Sequence, residues 1–165
     1  PSNDQNALCG TPKYADFLHL PHGLKGYFDY SEGLACAKEQ NKPVFLDIKG
    51  HTCANCKKME ATVWNDPRVL EKLRNDFVII ALYTDDRTEL PQNEWVASAN
   101  DGKMLKTMGA KNLDFEIARF GTNTQPLYAI LHTSGDTLGK PIGLTDVETF
   151  LQFLEKGKRD FENRK

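Results

Sequence analysis

At 165 residues and 39% apolar side chains, the chain fits one domain with a real core. Its net charge of −2, with no basic block, argues against nucleic acid or an anionic membrane as partner. No apolar run approaches the roughly 18 residues that a membrane-spanning helix needs, and four cysteines are too few to staple a scaffold of this size.

The chain opens on Pro1 without a charged-then-apolar leader, as expected of a mature or excised piece of a longer protein. Residues 1–25 are polar, with Thr11-Pro12 and Leu20-Pro21-His22-Gly23, and predict an irregular lead-in or linker with one short strand near Phe17–Leu20. The remainder, 26–165, is expected to be the domain. Asp29 opens a capped helix that runs to about Gln40 and is ended by Asn41-Lys42-Pro43. Pro43 to Ile48 is a nearly continuous apolar run, the pattern of a central strand covered on both faces. Asp47 interrupts it, and a carboxylate in a buried strand is costly without a partner or a task.

After a small polar turn, Cys53-Ala-Asn-Cys56 opens a helix with Met59 and Val63 on one side. Asn65-Asp66-Pro67 caps a second helical segment, Arg68–Asn75, and Phe77–Tyr83 is the second strong strand. A polar, loop-like insertion follows from Thr84 to Asp101. Lys103–Met108 and Asn112–Phe120 then read as two helices separated by Gly109. Leu127–Leu131 is a third strand, and Ser134-Gly135-Asp136 turns it into a hairpin with Thr137–Lys140. Thr145-Asp146 caps a last amphipathic helix carrying Val147, Phe150, Leu151 and Leu154. Helices alternating with strands, then a hairpin and a final helix, predict an α/β, thioredoxin-like fold: a mixed central sheet with helices on both faces.

The chemistry centres on Cys53 and Cys56. A strand, two cysteines and then a helix place the first sulfur at a helix N-terminus, where free N–H groups and the dipole favour its thiolate. The second sulfur is one turn on, placed to resolve a mixed disulfide. The competing reading is half of a zinc site, with His51 as third ligand, but no second ligand pair stands at zinc spacing. Covalent haem needs His directly after the second Cys, where Lys57 stands. Asp47, six residues before Cys53, is placed to sit under the dithiol with a raised pKa and take the Cys56 proton; a local hydrogen bond is the plainer alternative. Glu60, on the helix face of the pair, would oppose thiolate formation, unless it is a solvated Glu paired with a Lys. Pro126, ahead of the third strand, is expected to be cis on account of its place in the fold. His51, Thr52, Ala54, Asn55, Gln125 and Pro126 form the expected substrate-binding rim. Cys36 reads as a small core residue, with a Cys9–Cys36 disulfide as the alternative in an oxidising compartment.

The run from Asn41-Lys-Pro-Val-Phe-Leu-Asp-Ile through Thr-Cys-Ala-Asn-Cys-Lys-Lys-Met-Glu-Ala-Thr-Val-Trp-Asn-Asp-Pro resembles the C-terminal thioredoxin-like domain of membrane thiol:disulfide interchange proteins of the DsbD type. His22-Gly-Leu-Lys-Gly-Tyr-Phe-Asp-Tyr and Thr122-Asn-Thr-Gln-Pro-Leu-Tyr are similar to the version found in Bacteroidetes-type bacteria. The resemblance covers roughly residues 22–155. It implies a periplasmic protein-disulfide reductase, fed by a transmembrane electron-donor domain. Its partners would be periplasmic thiol–disulfide proteins, such as a disulfide isomerase or a factor of cytochrome c biogenesis. It also implies Cys53 as nucleophile, Cys56 as resolving thiol, and Asp47 and Glu60 as acidic modulators. No metal and no cofactor beyond the Cys53–Cys56 disulfide is expected, and the fragment is expected to be a monomer that does not enter the membrane. Thr52, where thioredoxins usually carry Trp, and the long Thr84–Asp101 insertion depart from the common pattern. A non-catalytic peptide-binding module and a free-standing secreted oxidase or isomerase are the competing functions.

Overall fold

The computed structural model describes residues 8–164. Asp29 caps α1 (Tyr30–Gln40) by accepting the Glu32 N–H at 2.9 Å, and Asn41 ends it in a left-handed conformation. Then come β1 (Val44–Lys49), α2 (Ala54–Thr62) and α3 (Pro67–Asp76). Asp66 caps α3, and Pro67 occupies its first turn, where no N–H is required. The chain continues through β2 (Val78–Tyr83), a short pair β3 (Val96–Ala97) and β4 (Met104–Leu105), and α4 (Met108–Phe120). It closes with β5 (Leu127–Leu131), β6 (Thr137–Ile142) and α5 (Val147–Arg164).

The main sheet has the order β2-β1-β5-β6. β1 pairs parallel with β2 and antiparallel with β5, so the sheet is mixed and β1 is enclosed on both edges. Alternation of side chains divides the core. Val44, Leu46 and Ile48 join a cluster with Cys36 and Ala37 of α1 and, at its edge, Phe115 of α4. Phe45 faces the other way, into a cluster with Met59 of α2, Leu73 of α3 and Phe150 of α5. Asp47 and Lys49 share the face of Phe45, which is the face that α2 covers. This is the expected thioredoxin-like fold, with helices on both faces of the sheet.

Four local expectations are corrected. Residues 103–107 are not helical: Met104–Leu105 pairs with Val96–Ala97, and the helix begins only at Met108, after Thr107, whose side chain accepts the Ala110 N–H at 3.2 Å. Gly109 does not separate two helices but lies in the first turn of α4. A Cβ there would stand 2.6 Å from the Asp86 carbonyl oxygen, so this glycine answers a close approach and not a break. The Thr84–Asp101 insertion is partly ordered by β3 and by a short turn at Gln92–Glu94, with Trp95 Nε1 donating to the Leu90 carbonyl at 2.9 Å.

No strand forms at 17–20. Leu18 and Leu20 are instead buried against the α2 side of the core, where side-chain packing rather than sheet pairing holds the lead-in. His22 takes a left-handed conformation and its Nε2 donates to the Glu60 carbonyl at 2.7 Å, near the C-terminal end of α2. Cys9 is disulfide-bonded to Cys36, with Cα atoms 5.7 Å apart. Cys36 is thus both a buried helix residue and one end of a bridge, a pairing across 27 positions that local pattern does not reveal.

Candidate active site

Cys53 is the N-cap of α2 and Cys56 lies in its first turn; the two are joined as a disulfide with Cα atoms 5.3 Å apart. The Cys56 N–H points at Cys53 Sγ from 3.1 Å, so a free donor of the helix end faces the first sulfur. Cys53 is half-buried and Cys56 is buried, which leaves the first sulfur as the one a partner can reach. Ala54 and Asn55 between them are exposed, as are Lys57 and Lys58.

On the face of β1 that α2 covers, Asp47 is 1% exposed and its Oδ2 has no hydrogen-bond partner among the described residues. Burial pushes its carboxyl up to about 7, against the pull of Lys49 and with help from the Glu60 charge. Lys49, buried two residues along the same face, bonds Glu60 Oε2 at 2.6 Å, stands 4.0 Å from Asp47 Oδ2 and lies over the Tyr83 ring. Burial opposes the ammonium charge, but the two carboxylates outweigh it and hold its pKa above the ordinary lysine value. Asp47 and Glu60 therefore share a buried cation. Ending the strand at Ile48 hid it; carrying the alternation one residue further puts Lys49 beside Asp47.

Across the sheet, Ile48 of β1 faces Leu127 of β5, so Gln125 and Pro126 arrive at the end of the sheet from which β1 leads to Cys53. The Gln125–Pro126 peptide is cis. Gln125 Nε2 donates to Thr84 Oγ1, and a Cβ on Gly50 would stand 2.7 Å from Gln125 Oε1. The chain at Gly143 and Thr145 also reaches this place, although the sequence marked only Thr145, and that as part of a helix cap. A Cβ on Gly143 would stand 3.2 Å from the Pro126 carbonyl oxygen, and the Thr145 N–H reaches Met59 Sδ of α2 at 3.4 Å. Leu144 between them is 48% exposed.

A family model for thioredoxin-like domains matches residues 30–158. The chain belongs to the thioredoxin-like family. No curated protein matches it in sequence. Among solved structures, the thioredoxin-like domain is similar to one described as DsbH oxidoreductase, at 15% identity and a TM-score of 0.57, covering 88% of this chain and 91% of that one. A thioredoxin from Thermus thermophilus shares 20% identity with a TM-score of 0.56, over 79% of this chain and 85% of its own. The oxidised C-terminal domain of Neisseria meningitidis DsbD shares 18% identity with a TM-score of 0.53, over 81% of this chain and 99% of its own. At these identities the likeness is one of fold.

Within the thioredoxin-like domain, the expected rim residues part company. Gln125 and Pro126 stand at the dithiol end of the sheet, and Thr52 and Ala54 are exposed beside the sulfurs. His51 is turned back: its ring stacks on Tyr83 at 4.2 Å and its Nε2 donates to Asp86 Oδ2 at 2.7 Å. Among the described residues no group of three or more His, Cys, Asp or Glu side chains could hold a metal ion. What the arrangement can do is exchange one disulfide for another: a reachable sulfur at a helix N-terminus, a second sulfur behind it, and a buried carboxyl able to hold or yield a proton near neutral pH.

Proposed function

We propose that this domain is a protein-disulfide reductase that passes electrons from a transmembrane donor domain to thiol–disulfide proteins of the periplasm, in the manner of a DsbD C-terminal domain. One observation carries the reading: the Cys53–Cys56 disulfide caps the start of α2, the helix whose Glu60 shares Lys49 with the buried Asp47, at the sheet end to which Pro126 leads. In the reduced domain, Cys53 thiolate attacks a partner disulfide, forming a mixed disulfide and expelling one partner thiolate. Cys56 gives its proton to Asp47 and attacks Cys53 Sγ, releasing the second partner thiol and closing Cys53–Cys56. Two electrons have then passed to the partner, and the donor's dithiol restores the reduced pair.

The periplasmic setting is supported by the Cys9–Cys36 disulfide, since such bridges persist in oxidising compartments. Among the described residues no helix is long and apolar enough to cross a membrane, so in this reading the donor is supplied by another domain.

The experiment is turnover of insulin disulfides with Cys53→Ser and Cys56→Ser. Cys53→Ser abolishes exchange; Cys56→Ser stops after one step and accumulates a mixed disulfide with the partner. Undiminished turnover by either variant overturns the reading. Direction is read from the potential of the couple by glutathione titration: a reductase lies near the roughly −270 mV of thioredoxin, and a value near −120 mV means an oxidase.

A further inference from the structure

The turn that delivers Cys53, Gly50 to Thr52, makes few bonds of its own: within it the Cys53 N–H reaches the Gly50 carbonyl only at 3.4 Å. Its conformation is set from the loop that follows β2. Asp85 Oδ1 accepts the His51 N–H at 2.8 Å, and Asp85 Oδ2 accepts the Thr52 N–H at 3.1 Å and the Thr52 hydroxyl at 3.2 Å. One exposed carboxylate thus spends both oxygens on three donors in the two residues before the nucleophile. An exposed loop Asp is ordinarily left to water; this one is bonded more than 30 positions away in sequence.

The support under Asp85 is fixed in turn. Asp86 is buried, and its carboxylate binds His51 Nε2 at 2.7 Å and the Thr88 N–H at 2.8 Å. Its carbonyl takes the Gly109 N–H of α4 at 2.9 Å, at the place where only a glycine leaves room. Thr84 donates its N–H to the Lys49 carbonyl at 2.9 Å and its hydroxyl to the same oxygen at 3.2 Å. Residues 84–86 therefore form a shelf held by β1 on one side and α4 on the other, and the Cys53 turn rests on it. Burial works against the Asp85 charge, yet its three donors hold the carboxyl below the ordinary range, so the acceptor stays ionised across the neutral range.

We propose that Asp85 is a positioning residue for thiol–disulfide exchange: by binding the His51 and Thr52 N–H groups it holds Cys53 Sγ on the line along which a docked protein disulfide is attacked. The inference rests on the exchange reading above. A protein disulfide seated against the rim presents its sulfur from one direction, so loss of alignment costs rate. A small free disulfide can approach from many directions and feels the loss far less.

The test compares Asp85→Ala with the wild type in the whole chain, using insulin as the protein disulfide and glutathione disulfide as the small one. The insulin rate constant falls about tenfold while the glutathione disulfide rate stays within about twofold. The His51 and Thr52 amides, protected in the wild type, exchange with solvent at least about tenfold faster in the variant. An insulin rate equal to wild type overturns the inference, as does a parallel fall of both rates. So do His51 and Thr52 amides that are already unprotected in the wild type, a result that needs no variant. A wild type that leaves insulin unreduced instead sinks the exchange reading and this inference with it. An active wild type matched by Asp85→Ala sinks the inference alone.

Discussion

The Lys49 ammonium binds the Glu60 carboxylate at 2.6 Å, joining β1 to α2, the helix that Cys53 caps. Both side chains are largely withdrawn from water, and Asp47 lies 4.0 Å from the same nitrogen. One cation therefore answers two carboxylates, and removing it leaves like charges facing each other in a poorly hydrated place. Lys49→Met is expected to cost about 3 kcal/mol at pH 8, in line with breaking a buried ion pair. The cost shrinks toward pH 4, where Asp47 is protonated and no longer faces Glu60 as a like charge. Urea unfolding at the two pH values measures it, and Lys49→Met with Glu60→Gln should recover part of the loss. Equal costs at both pH values would show that the charges are not coupled.

Asp47 carries its own pH dependence. Its folded value of about 7 lies above the ordinary 3.8, so burial is without penalty while the group is protonated in both states. As pH rises from about 4 to about 7, the unfolded chain ionises first and the folded state loses ground; above that the full cost is present. Asp47→Asn therefore stabilises the domain at pH 8 by about 2–4 kcal/mol and has little effect at pH 4. Under the exchange reading, the same variant slows resolution of the mixed disulfide about tenfold at pH 7. Denaturation curves and stopped-flow release of the partner thiol test the two halves separately.

Glu116, on the sheet-facing side of α4, is fully buried, and among the described residues neither carboxyl oxygen has a hydrogen-bond partner. Burial alone pushes it up to about 7 from 4.5. Its contribution has the same sign as that of Asp47: stability is lost as pH climbs from about 4.5 to about 7. Glu116→Leu should raise the unfolding midpoint at pH 8 and change it little at pH 4, a difference of roughly 1–3 kcal/mol. A variant that loses stability at pH 8 would mean that the carboxylate has a partner in solution.

The Cys9–Cys36 bridge closes a loop across 27 positions and ties the lead-in to α1. Replacing both ends, with Cys9→Ser and Cys36→Ala, is expected to cost about 3 kcal/mol, mostly through the freer unfolded chain. Insulin turnover at a temperature where the variant stays folded should be unchanged, because neither residue belongs to the site. Loss of turnover in a folded variant would place this disulfide in the electron path.

Much of this protein was legible from local pattern. The strand through Asp47, the Cys53–Cys56 helix start, the Asp66 and Asp146 caps and the strand after Pro126 all declare themselves within a few residues. Periodicity and capping depend on near neighbours, so the sequence by itself determined the main strands and helices, their order, the thioredoxin-like fold and the two sulfurs. What only the tertiary structure decided are meetings between distant segments: Lys49 between two carboxylates, Asp85 under the Cys53 turn, Gly143 against Pro126, Cys9 bonded to Cys36, and β3 with β4 in a stretch that read as loop and helix. Each depends on which surfaces the packed sheet and helices bring face to face. Spacing along the chain carries no record of that, because contacts across 30 or 80 positions are chosen by packing and charge once the core has formed.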